Sequence, residues 1–71
     1  MTYKQVTAGD LMVGDEVIES RLRGGRWYDV YFTVVAIDKG RFVNYQLSDL
    51  SWRTLSPYIE VDVTGRKGLM A

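Results

Sequence analysis

The sequence predicts a small all-β domain of five or six strands bent into a barrel. Three observations carry this. Short apolar-patterned segments are split throughout by Gly, Asp, Ser and Pro, and no helix of useful length can be drawn. Several segments alternate at a period of two, Tyr58 to Val63 most cleanly. The longest segment, Arg26 to Ile37, is apolar on both parities at its far end, and bending would let one such strand serve two sheets.

Seventy-one residues make one domain at most. We expect it to span residues 1–63, with residues 64–71 (TGRKGLMA) as a flexible tail. So short a chain buries only about 60% of the surface that its unfolded form exposes, so its margin is small. Cys and His are both absent, which removes disulfide staples and Cys/His zinc sites. A tight apolar core or homo-oligomerisation is left to supply the margin. The 46% hydrophobic and 13% aromatic content is enough for such a core. Nine Lys+Arg balance nine Asp+Glu, so no global charge steers the chain to nucleic acid or an anionic membrane, and any anion site must be local. No apolar run approaches the roughly 20 residues of a membrane span, and the N-terminus carries no signal-peptide apolar core. A cytoplasmic setting without membrane contact is expected.

Met1 to Val6 adds an edge strand or stays loose. Thr7-Ala8-Gly9-Asp10 sets a hydroxyl three residues before a carboxylate, which approximates a capping box for one helical or 3₁₀ turn. Gly14-Asp15 is a second turn. Asp10, Asp15 and Glu16 crowd this stretch, but turn chemistry on a solvated edge accounts for them better than a metal or acid–base site. Val17 to Arg23 is the first strand, with Ile18, Ser20 and Leu22 on its expected inner face. Gly24-Gly25 marks a hairpin. A three-residue loop there would pair Leu22 with Tyr28, Ser20 with Val30 and Ile18 with Phe32, keeping the apolar faces together, so an odd loop or bulge is expected. After Arg26 to Ile37, a two-residue Lys39-Gly40 loop would pair Ala36 with Val43, Val34 with Tyr45 and Phe32 with Leu47. Leu50 to Leu55 is a short strand, Ser56-Pro57 a turn, and Tyr58 to Val63 the last strand, with Ile59, Val61 and Val63 inward. Tyr45 and Trp52 are expected in the core, and Phe42 and Tyr58 outside it.

Two segments of this succession carry a family likeness. Leu11-Met12-Val13-Gly14-Asp15-Glu16-Val17 is similar to the hydrophobic-x-x-Gly-Asp-x-Val entry of small barrels, and Leu55-Ser56-Pro57-Tyr58-Ile59 to the link into their last strand. The order as a whole resembles an SH3-like small β-barrel, with an OB-like barrel as the alternative. The peptide-groove aromatics of SH3 domains do not carry over: the Ala-Leu-Tyr-type opening and the tandem Trp are missing. Small barrels host many functions, so the likeness implies a fold more than an activity.

Catalysis has little support. Nucleophilic serines lack a general base, and no phosphate-binding Gly-rich loop is present. No cofactor or metal is expected. The suggestive cluster is Arg21, Arg23, Arg26, Trp27 and Tyr31, around Gly24-Gly25. In the expected register, Arg21, Arg23, Trp27 and Tyr31 share the face away from the core. Such a cluster suits a protein interface, where Trp, Tyr and Arg dominate the energetics. It also suits base stacking with phosphate contact, and the plain structural reading is a hairpin tip whose Arg stems cover an aromatic. The functional expectation is a non-enzymatic binding module for an unknown protein partner, with a weak nucleic-acid binder as the alternative. The size suits an accessory or regulatory protein of a bacterium or bacteriophage.

Overall fold

The computed structural model describes residues 4–67. Six strands are formed: β1 (Lys4–Thr7), β2 (Asp15–Arg23), β3 (Arg26–Lys39), β4 (Val43–Leu47), β5 (Trp52–Leu55) and β6 (Glu60–Lys67). A 3₁₀ turn over Ala8–Asp10 separates the first two. All pairings are antiparallel, in the order β1-β6-β2-β3-β4-β5. The all-β class is as expected, but the sheet is open: β1 and β5 are its edges, and strand pairing does not close it into a barrel. Each edge strand has only four residues. The 3₁₀ turn spans to the β5–β6 link instead. There the Ala8 N–H donates to the Ile59 carbonyl (2.8 Å) and the Gly9 N–H to that of Pro57 (3.0 Å). Lys39 Nζ, at the end of β3, donates to the Gly9 carbonyl at 2.8 Å.

The sheet is strongly curled. Glu19 on β2 and Arg53 on β5 lie three strand spacings apart, about 14 Å in a flat sheet. Their side chains nonetheless meet at 2.8 and 2.9 Å. β3 makes the bend. Its 14 residues would reach about 43 Å if straight, which exceeds the longest dimension of the molecule, 37 Å. A bulge at Val35 turns the strand: Val34 pairs with Leu47, but Ala36 pairs with Gln46. One extra residue reverses the facing of everything beyond it. Val30, Phe32 and Val34 therefore face inward before the bulge, and Ile37 does so after it, opposite Tyr45. This is why both parities are apolar at the far end of β3. The expected Lys39-Gly40 loop is corrected accordingly: Lys39 pairs with Val43 across Gly40-Arg41-Phe42, and the bulge restores the apolar match that a shorter loop was meant to provide.

The core comprises Ala8, Leu11, Val17, Phe32, Val34, Val43, Tyr45, Leu47, Val61 and Val63, drawn from the inner face of four strands (β2, β3, β4 and β6), the 3₁₀ turn and the residue that follows it. Trp52 is not part of it. Gln46 pairs with Trp52 and Tyr45 with Arg53, so Arg53 takes the inner position and Trp52 stands outside, 53% exposed. Leu50 precedes the strand at φ 73, within the β4–β5 loop. Ile59 is also exposed, because it ends a turn in which its N–H donates to the Ser56 carbonyl. Phe42 and Tyr58 are exposed, as expected.

The opening stretch behaves as turn chemistry. Asp15 Oδ2 accepts the Met12 N–H at 2.9 Å, and Gly14, at φ 97, donates its N–H to the Val34 carbonyl beside the bulge. Thr7 Oγ1 donates to Asp10 Oδ2 at 3.1 Å and makes no cap to a backbone N–H, so only part of the capping box forms. At the other end β6 continues to Lys67, four residues past the expected boundary at Val63. Thr64 is buried, and Gly65, at φ 81, allows the register shift that brings Lys67 opposite Asp15. The remainder of the expected tail, residues 68–71, lies outside the described residues, as do residues 1–3.

Candidate functional site

The β2–β3 hairpin projects beyond the core, and every residue from Ser20 to Asp29 is exposed. Gly24 and Gly25 have φ of 59° and 77°, the left-handed pair that a tight two-residue hairpin turn requires. Arg23 accordingly pairs with Arg26, Leu22 with Trp27, Arg21 with Tyr28, Ser20 with Asp29, Glu19 with Val30 and Ile18 with Tyr31. This overturns the odd-length loop expected from the sequence. The apolar match across the strands is given up because, beyond Val30, the hairpin has no core to fit.

The corrected register divides the predicted site residues between two faces. Arg21, Arg23 and Arg26 lie on one face with Tyr28, continuous with the core side of β2 and β3. Trp27 and Tyr31 lie on the other with Leu22 and Ile18. The five residues share one hairpin but do not form one mixed patch. Leu22 and Tyr28 belong to these faces and were missed from the sequence. The Gly-Gly pair itself was the signal that could have found them, since two consecutive glycines suit a two-residue turn.

The arginine face is anchored at its base. Arg53 Nε and Nη2 donate to Glu19 Oε2 and Oε1 at 2.9 and 2.8 Å, a two-pronged pair that joins β5 to β2. The hydrogen bonds from Arg53 hold the Glu19 carboxyl below the ordinary carboxylate value, against the opposing effect of its partial burial. Burial, with Glu19 nearby, pushes the Tyr45 phenol up. Arg21 approaches Glu19 more loosely, at 3.4 Å, and its guanidinium lies 5.6 Å from the centre of the Phe32 ring. Arg21 is therefore partly structural. Neither Arg23 nor Arg26 forms an ion pair among the described residues.

The other face carries an apolar pair near its tip. Leu22 and Trp27 stand opposite each other, 58% and 70% exposed. Ser20 Oγ donates to Asp29 Oδ1 at 3.1 Å in the next rung, and Ile18 and Tyr31 follow, Ile18 largely covered and Tyr31 at 38%. The result is a short exposed strip, Leu22 with Trp27, that a polar rung separates from Tyr31.

Elsewhere, a shallow cavity of about 170 Å³ is lined by Lys4, Val6, Asp10, Met12, Asp15, Val63 and Gly65. Its carboxylates already accept the Thr7 hydroxyl and the Met12 N–H. Among the described residues no three acidic or other metal-ligating side chains converge, and no helix is long and apolar enough to cross a membrane. No protein-family model, curated protein or solved structure matches the chain.

Proposed function

We propose that the chain is a non-enzymatic protein-interaction module that docks through the Leu22–Trp27 face of its β2–β3 hairpin. One observation carries this reading: a Trp and a Leu stand side by side on the arm, 70% and 58% exposed. Adjacent large apolar side chains on an otherwise polar arm mark an interface more than a solvated surface. Trp is the residue type most enriched among those that dominate binding energy, and Tyr31 lies on the same face beyond the polar Ser20–Asp29 rung. The cations lie on the opposite face, so this strip lacks the phosphate contacts that base stacking normally accompanies. The scaffold behind the arm is read as a partly open SH3-like barrel. That reading is supported by the long bent strand serving both halves of the sheet and by the Gly-Asp entry turn.

Affinity capture from extract of the source cells tests the proposal, with nuclease-treated extract run in parallel. We expect a protein whose capture survives nuclease and is lost with Trp27→Ala, a substitution that should weaken a central contact by about 2 kcal/mol, or about 30-fold. Circular dichroism establishes that the variant is folded. Identical capture by the wild-type and Trp27→Ala chains would overturn the proposal.

A further inference from the structure

The arginine face of the arm is a separate feature, and its chemistry differs. Arg23 and Arg26 are directly opposed across the tight turn, and like charges in that position oppose strand pairing. No acid relieves them among the described residues. Arg21 follows on the same face, one rung back, with Tyr28 opposite it. Such a conflict between local charge and local structure is expected where a ligand resolves it. The neutral total hides a segregation: residues 20–29 hold three arginines against one aspartate, leaving six cations against eight acids elsewhere.

We infer that this face binds the phosphate backbone of a nucleic-acid duplex, with the arm entering a groove. Four observations favour a polyanion of this form. Arg21 and Arg23 are two residues apart on one strand, about 6.7 Å, a spacing that suits neighbouring phosphates along one winding strand of a duplex. Arg26 adds a third cation from the other strand of the arm. The arm is a two-stranded ribbon, an element that the major groove of a duplex admits. Its tip is two glycines with open space around them, so no side chain keeps the backbone from the groove wall. This site is independent of the Trp27 face and stands or falls without it.

The test is fluorescence anisotropy of a labelled 20-base-pair duplex titrated with the full chain over a range of salt. For three phosphate contacts, log affinity should fall against log salt with a slope of about −2.7. The Arg23→Gln/Arg26→Gln variant should reduce that slope to about −0.9 and weaken binding at low salt at least about tenfold. Trp27→Ala should leave the affinity within about twofold. The double Gln variant relieves the opposed charges, so its melting temperature should equal or exceed that of the wild type, which separates lost binding from lost folding. Undetectable duplex binding at low salt, or a double variant that binds as the wild type does, overturns the inference. So does equal competition by polyglutamate, which would assign the face to an acidic protein instead.

Discussion

At the scale of single residues, the Glu19–Arg53 pair and the two tip glycines do the most specific work. The pair links strands that are not neighbours, so it reports on the curl of the sheet rather than on one ladder. Arg53→Met should destabilise the fold more than the Glu19→Gln/Arg53→Met double variant does, because the single change strands a half-buried carboxylate beside Tyr45. For this partly exposed pair we expect about 1 kcal/mol, read by denaturant unfolding. The pH dependence follows from the lowered Glu19 value. A carboxylate depressed in the folded state adds stability that is fully present above its unfolded value, about 4.3. That stability is lost as pH falls through the folded value. Between pH 6 and pH 3 the wild type should therefore lose more stability than Glu19→Gln, as thermal melts at each pH would read. Gly25→Ala should cost about 1 kcal/mol through its left-handed backbone alone, since nothing crowds a Cβ there. Gly24→Asn should be close to neutral, because Asn followed by Gly suits this turn. Equal losses for both substitutions in a thermal melt would argue against the turn geometry.

At the scale of elements, β3 and its two turns show how far the sequence could be read. The strands were legible because their alternation is strong, and the entry turn was legible from Gly14-Asp15. The 3₁₀ turn over Ala8–Asp10 followed from Thr7 and Asp10. Register was not legible at either hairpin, for one physical reason. Matching apolar faces fixes register only where a core covers one side and the strand is regular. The β2–β3 arm extends past the core, so turn chemistry at Gly24-Gly25 prevails over side-chain matching. In β3 the bulge at Val35 changes the inward parity, and the apolar residues on both parities were the trace of that change. Trp52 was misplaced for a related cause, since the partly buried Arg53 takes the inner position to meet Glu19. The same register divided the candidate site, whose residues were found but whose grouping was not. An arm exposed from Ser20 to Asp29 makes its own prediction. Leu22→Ala and Trp27→Ala should each change unfolding free energy by no more than about 0.5 kcal/mol, so any loss of binding they cause will not come from unfolding.

At the scale of the molecule, a core of ten buried side chains, most of them aliphatic, supports a sheet with two open edges and a protruding arm. Little stability is in reserve for so short a chain. Leu47→Ala, at a fully buried position, should cost about 2–5 kcal/mol and leave much of the chain unfolded at 37 °C by circular dichroism. The division of labour is the larger point. The curled sheet holds the base of the arm through Glu19, Arg53 and Phe32, and the arm presents an apolar face and a cationic face to solvent. That division depends on the two-residue turn, since a one-residue slip would return Trp27, Tyr31, Arg21 and Arg23 to a single surface. Proton NMR in solution tests it most directly through cross-strand contacts in the arm. The two-face arrangement predicts nuclear Overhauser effects between the Leu22 methyls and the Trp27 indole and between Ile18 and Tyr31. Contacts pairing Leu22 with Tyr28 and Ile18 with Phe32 instead would contradict it.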